Sequence, residues 1–157
     1  MDIILREATA NDMPQVRKLV EGLALFEKAP QEVTVSLNEF INDGFGNNPI
    51  YKCTVAEHNH EIIGFSLYYI AYSTWKGKIV YLDDLFVTEQ YRKHGIGKKL
   101  IDCVIYYAKE IQANQVRWAV LEWNENAINF YKKLGAAFDA EWIQCKMNKE
   151  QIKNYTK

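Results

Sequence analysis

No apolar run in the chain approaches the ~18 residues that a membrane span requires, so the sequence predicts no membrane association. Met1-Asp2 opens without the basic segment of a signal peptide, and the expected location is cytoplasmic. An excess of positive charge is missing too: the formal net charge is -1, which argues against nucleic acid as a partner. Cysteine is sparse. Cys53, Cys103 and Cys145 are odd in number, widely spaced and set in apolar surroundings, so they read as reduced core thiols rather than a disulfide frame or a metal site. His58 and His60 share a polar turn between strands and read as solvated turn residues, and no metal is expected there. No repeat, low-complexity tract or linker divides the chain, and a single domain over residues 1–157 is expected. A chain of that length buries ~70% of its unfolded surface without staples.

Hydrophobic periodicity supplies the elements. Ile3 to Arg6 reads as a strand, and Thr9 with Asp12 three residues on is a capping pattern. It opens a helix with the stripe Met13, Val16, Leu19, Val20 and Leu23. Ser36 and Glu39 repeat the pattern before a second helix ending at Asp43-Gly44. Tyr51–Glu57, Ile62–Tyr72 and Ile79–Val87, separated by turns at His58-Asn59-His60 and near Lys76-Gly77, read as three antiparallel strands. Tyr69 and Trp75 are expected in the core or at an interface. Leu100, Ile101, Val104, Ile105 and Ala108 form the stripe of a third helix, and Val116–Leu121 is the next strand. Ala127–Leu134 is a helix stopped by Gly135, and Trp142–Met147 is expected as a last strand.

The stretch from Tyr91 to Leu100 joins a strand to the third helix through a glycine turn. Gly95 and Gly97 carry no Cβ to hold an anion away from the backbone, and the first-turn amides of a helix have no intrahelical partner. With Arg92, Lys93, Lys98 and Lys99 they form a seat for phosphate, although the same turn is equally a glycine-containing helix start without a ligand. A P-loop would require a hydroxyl after its lysine, and a dinucleotide fingerprint a third glycine where Leu100 stands.

Arg92-x-x-Gly95-x-Gly97 resembles the pyrophosphate-binding motif of the GCN5-related N-acetyltransferases, and Asn124-x-x-Ala127-x-x-x-Tyr131-x-x-x-Gly135 resembles that family's second hallmark. Asp43-Gly44-Phe45-Gly46, Tyr81-Leu82-Asp83-Asp84-Leu85-Phe86-Val87 and Glu122-Trp123-Asn124-Glu125 are similar to its spermidine/spermine branch, so the likeness runs from Arg6 to about Lys146. It implies an α/β (α+β) fold: a mixed, mainly antiparallel central sheet flanked by helices and splayed at the acetyl-CoA site. It also implies direct acetyl transfer from acetyl-CoA to the primary amine of a small cationic substrate (polyamine, diamine or lysine analogue), and a homodimer with Trp142 near its interface. Alternatives are a protein N-terminal or lysine acetyltransferase, and a non-catalytic acyl-CoA sensor.

Residue by residue, the resemblance makes Tyr131 the general acid and Asp83 the base, directly or through water. Cofactor contacts carry over to Leu85, Phe86, Val87, Arg92, Lys93, His94, Gly95, Ile96, Gly97, Lys98 and Asn124. Glu27, Asp83 and Asp84 fall on the acceptor side. As neighbours on a strand, Asp83 and Asp84 are expected on opposite faces, with only one in the cleft. Where the polyamine enzymes carry an acidic residue before the tryptophan of the strand turn, this chain has Ser73-Thr74-Trp75, which leaves a shorter amine equally compatible.

Overall fold

Alternating apolar residues need a partner strand on each side, and the middle of the chain provides three in succession. In the computed structural model, which describes residues 1–156, β2 (Lys52–His58), β3 (Glu61–Ser73) and β4 (Gly77–Val87) form an antiparallel meander. β2 and β3 are joined by a two-residue loop, Asn59 and His60, both at positive φ (50° and 64°) as a twist-matched hairpin turn requires. His58 Nδ1 pairs with the Asp2 carbonyl at 2.8 Å, so this imidazole is engaged with the chain's first residues. β1 (Ile4–Glu7) adds antiparallel to β2, and β5 (Gln115–Arg117) adds parallel to β4, giving the order β1-β2-β3-β4-β5.

Helices cover both faces. α1 (Met13–Phe26) and α2 (Leu37–Phe45) pack Met13, Val16, Leu19 and Phe40 against Cys53, Val55, Phe65 and Leu67. On the other face α3 (Ile96–Glu110) sets Ile96 and Leu100 on Ala56 and Ile63. Ile62 and Phe65 share the α1 face because Ile63 is an extra residue: the register steps from Ala56↔Gly64 to Glu57↔Ile62. Its carbonyl accepts hydrogen bonds from Thr88 N (2.9 Å) and Thr88 Oγ1 (3.2 Å), which ties the end of β4 to the bulge.

The expected capping pattern at Thr9 serves a wider network. Asp12 Oδ2 accepts from Thr9 N (2.7 Å) and Thr9 Oγ1 (2.8 Å), and the Asp12 carboxylate takes a two-pronged bond from Arg6 Nη1 and Nη2 at 2.7 and 2.8 Å. Arg6 Nε reaches Glu57 Oε2 at 2.8 Å, so one guanidinium joins β1, β2 and the entry to α1. Ser36 and Glu39 form a reciprocal capping box at the start of α2, as the sequence implied.

By contact density the chain divides into two compact units, Met1–Ala119 and the residues from Val120 onward. The second holds α4 (Glu125–Lys133) and α5 (Lys149–Lys153). Two sequence expectations need correction. β5 ends at Arg117 rather than Leu121, and Trp142–Met147 is not a strand among the described residues: Trp142 is 73% exposed and Ile143 89%. Alternation marks a segment able to be a strand, but only a ladder partner makes it one. Cys145 lies in this segment and is exposed, unlike the buried Cys53 and the half-buried Cys103. Trp75, at 79% exposure, is not a core residue.

The Arg6 guanidinium holds the Asp12 carboxyl well below the usual carboxylate range, with Thr9 adding to the effect against the cost of burial. A lowered folded-state pKa contributes stability at pH values above the unfolded pKa of ~3.9 and loses it as pH falls toward the folded value. Asp12→Asn is therefore expected to cost about 2 kcal/mol at pH 7. Urea unfolding should show that gap closing below about pH 4, and a gap unchanged down to pH 3 would contradict the assignment.

Candidate active site

A second irregularity, in β4, builds the acidic wall of a cleft. The β3–β4 register runs Leu67↔Asp84 and then Tyr68↔Leu82, leaving Asp83 as the extra residue of a bulge. An inserted residue cancels strict alternation, so neighbouring side chains are no longer forced to opposite faces. Asp83 and Asp84 accordingly line the same cavity, of about 540 Å³, together with Arg17 of α1, Asp43 of α2, and Tyr69. This overturns the expectation of one carboxylate per face. It also returns Asp84 and Phe86 to the α1 side, opposite Leu67 and Phe65.

The two carboxylates differ in surroundings. Asp83 is exposed at the cavity mouth, yet enough protein crowds it that desolvation raises its pKa. Asp84 lies deeper: burial, then the charges of Asp83 and Glu27, push its carboxyl up to about 7. Glu27 caps the C-terminus of α1 outside the cavity wall, and its own pKa is raised by desolvation. The structure thus brings Glu27, Asp83 and Asp84 into one electrostatic neighbourhood. Tyr69, stacked on Tyr81 with ring centroids 5.4 Å apart, closes the floor.

Packing holds the α2 wall in place. The Tyr51 hydroxyl donates to the Phe40 carbonyl, and a Cβ at Gly44 would stand 2.4 Å from Tyr51 Cζ. Glycine is what allows α2 to lie on that ring. A larger cavity, about 660 Å³, touches Glu7, Lys52, Tyr69 and Tyr107, but Lys52 and Glu7 already pair at 2.7 Å and no free acidic group faces it, so the smaller cavity is the candidate.

Beyond the Tyr81↔Arg117 pairing the β4 edge carries no further ladder on the β5 side among the described residues, so Leu85, Phe86 and Val87 lie on an open edge. The chain then turns through Lys93 (φ 66°) and Gly95 (φ 76°) into α3. Lys99 N to Gly95 O, at 3.1 Å, is the first bond of the helical ladder, so the amides of Ile96, Gly97 and Lys98 precede it. A Cβ built on Gly95 meets nothing within 4 Å, which leaves the approach to these amides open. An open strand edge followed by a free helix N-terminus fits a cofactor that pairs like an added strand and ends in phosphates.

The basic side chains fit less directly. Arg92 Nε donates to the Val87 carbonyl at 2.9 Å, and its guanidinium lies 5.3 Å from the Phe26 ring centroid and 5.5 Å from that of Phe86. It staples the turn to α1 and β4. Lys98 pairs with Asp102 at 2.5 Å, and His94 Nδ1 sits 3.3 Å from the Tyr91 carbonyl, whereas Lys93 is exposed at the turn. In the second unit Asn124 Oδ1 accepts from Ala127 N at 3.2 Å, capping α4. Tyr131 is buried on that helix, its ring 5.2 Å from Phe130, and Gly135 (φ 80°) ends it. Sequence reasoning missed Arg17 and Asp43 as cavity residues, since nothing at helical spacing separates them from solvated positions.

Because burial raises the folded pKa of Asp84 above its unfolded value of ~3.9, the fold favours the protonated carboxyl. That contribution is fully present below the unfolded pKa and is lost as pH rises through about 7. Asp84→Asn, neutral throughout, should be more stable than the parent at pH 8 by on the order of 1 kcal/mol, with the difference shrinking toward pH 4. Denaturant melts at the two pH values would show this, and a pH-independent difference would count against it.

Comparison with known proteins places this geometry. The chain is 40% identical over 142 residues to a thialysine N-epsilon-acetyltransferase of Bos taurus, covering 85% of this chain and 84% of that one. It is 32% identical to spermidine/spermine N(1)-acetyltransferase-like protein 1 of Homo sapiens, over 94% of this chain and 23% of that one. An aminoglycoside N-acetyltransferase crystallised with CoA shares the fold at a TM-score of 0.75 with 17% identity, covering 93% of this chain and 95% of the other. Residues 16–136 match the model of the acetyltransferase (GNAT) family, and with that match beside the open strand edge and the glycine turn, the chain belongs to this family of N-acetyltransferases.

Proposed function

We propose that this enzyme transfers acetyl from acetyl-CoA to the primary amine of a small cationic substrate, a diamine, polyamine or lysine analogue. The observation that carries the reading is the bulge that sets Asp83 and Asp84 in one cavity, with the charge of Glu27 acting on Asp84. Relatives named for thialysine and for spermidine/spermine support the same substrate class. A cavity of about 540 Å³ suits a small molecule better than a protein tail, which needs a long groove.

A primary amine with pKa ~10 arrives as an ammonium ion and must lose a proton before it can attack. Asp83, directly or through water, and Asp84, held near 7, take up that proton as a coupled pair. Acetyl-CoA supplies the acetyl thioester, whose C–S bond breaks as the C–N bond forms. The Tyr131 hydroxyl donates the proton that the departing sulfur needs. The backbone of Leu85, Phe86 and Val87 and the amides of residues 95–98 would hold the cofactor, with Arg92 setting the turn's position.

The whole chain is read as one acetyltransferase domain, because the family match runs across both compact units. A cytoplasmic location is supported by three unpaired cysteines, and no described helix is long and apolar enough to cross a membrane. A homodimer is supported by the exposure of Trp142, Ile143 and Met147, large apolar side chains gathered on one short segment.

Two measurements test this reading. With acetyl-CoA, free thiol should be released with diamines or diamino acids and not with neutral amino-acid amides lacking a second amine. Tyr131→Phe should lower that turnover roughly a hundred- to ten-thousand-fold while leaving acetyl-CoA affinity and melting temperature close to the parent's. Near-normal turnover in a folded Tyr131→Phe protein would remove the tyrosine from the mechanism. Sedimentation at micromolar concentration should give twice the 18.3 kDa chain mass, and a monomer would refute the dimer.

A further inference from the structure

Among carboxylates the acceptor cavity carries one cation, and it is out of place for a polyamine. Arg17 lines the wall shared by α1 and the segment before α2, and its side chain is only 18% exposed, against 56% for its ion-pair partner Glu21. The guanidinium has five N–H donors. Nε gives one to Glu21 Oε1 at 2.9 Å and Nη1 gives one to the Val35 carbonyl. The Nη2 amino group has no hydrogen-bond partner among the described residues. A half-satisfied guanidinium facing a cavity selects for a carboxylate, which it binds through parallel bonds.

Asp43 lines the same cavity. Its backbone carbonyl is taken by Ile50 N at 2.8 Å, but no ion pair reaches its carboxylate among the described residues. Arg17 and Asp43 therefore offer one positive and one negative group in the same lining as the Asp83–Asp84 bulge. That pair complements the head group of an α-amino acid, carboxylate toward arginine and ammonium toward aspartate. A long polycation would instead meet Arg17 as a like charge. The missing acidic residue at Ser73-Thr74-Trp75 points the same way.

We infer that Arg17 and Asp43 determine which acceptor is chosen: Arg17 binds the α-carboxylate and Asp43 the α-ammonium of an α,ω-diamino acid while its terminal amine lies at Asp83 and Asp84. This rests on the small-cation acetyltransferase reading and assigns two residues to its choice among the acceptors named there. Nothing in the bond-making step changes; Arg17 acts on specificity.

The test compares L-ornithine with 1,4-diaminobutane, which differs only by the missing carboxyl group, following thiol release from acetyl-CoA. The intact enzyme should favour ornithine in kcat/KM. Arg17→Leu should lower the ornithine-to-diamine ratio of kcat/KM by about ten- to a hundred-fold, the worth of a charged hydrogen bond. Loosening of the segment at Val35 would slow both amines together and leave the ratio in place, and that result would overturn the inference. L-lysine against L-lysinamide on the unmodified enzyme asks the same question without a variant: preference for the free acid supports the assignment, equal turnover rejects it. Turnover of the diamine with no carboxylate effect would reject the inference alone, whereas no thiol release with any of these amines would reject the acetyltransferase reading beneath it.

Discussion

The extra residue at Asp83 is the constraint on which the acidic cavity depends. Without it, strand alternation would turn Asp84 toward α3 and put Asp83 alone on the cavity side. With it, Asp84 stands opposite Leu67, both carboxylates face α1 and α2, and their mutual repulsion adds to burial in holding a proton on Asp84 near neutrality. A local fault in a ladder has thereby set a carboxyl with a raised pKa in the wall of a cavity. The desolvation that tunes the group also weakens the fold at neutral pH, a conflict characteristic of functional positions.

The open strand edge and the glycine turn are organised by the same sheet from the other end. β5 pairs with β4 over three residues and then leaves it, and the exposed edge leads without interruption to the amides that start α3. Arg92 fixes the angle between edge and turn by bonding the Val87 carbonyl and lying against Phe26 and Phe86. Phe26 ends α1, so the helix that walls the acidic cavity is also clamped to the glycine turn through one guanidinium.

Most of the fold was legible in the sequence because it rests on local signals. The stripes of α1 and α3, the capping box at Ser36, and the three strands with their turns are short-range patterns, and each was found within one to three residues of its expected place. The site was legible as a set of residues and less so as an arrangement. Counting by twos cannot see a bulge, so Asp83 and Asp84 were assigned to different faces. Arg92 as phosphate ligand and Arg92 as staple are the same letter in the sequence, and only the neighbouring rings distinguish them. Arg17 looks like any charge on a solvated helix face until the segment at Val35 folds over it. Residues 142–147 have a strand's alternation, but whether such a segment pairs is decided by what lies beside it.

Gly44 and Tyr51 are separated by six residues yet occupy nearly the same space. Any side chain at 44 demands a smaller one at 51, and a smaller one at 51 abandons the Phe40 carbonyl and opens the cavity floor. The two positions are therefore epistatic, and a lineage drifting toward bulkier acceptors would have to cross a valley at this pair before it could gain room. The room in this cavity is in that sense set by helix packing as firmly as by the side chains that line it.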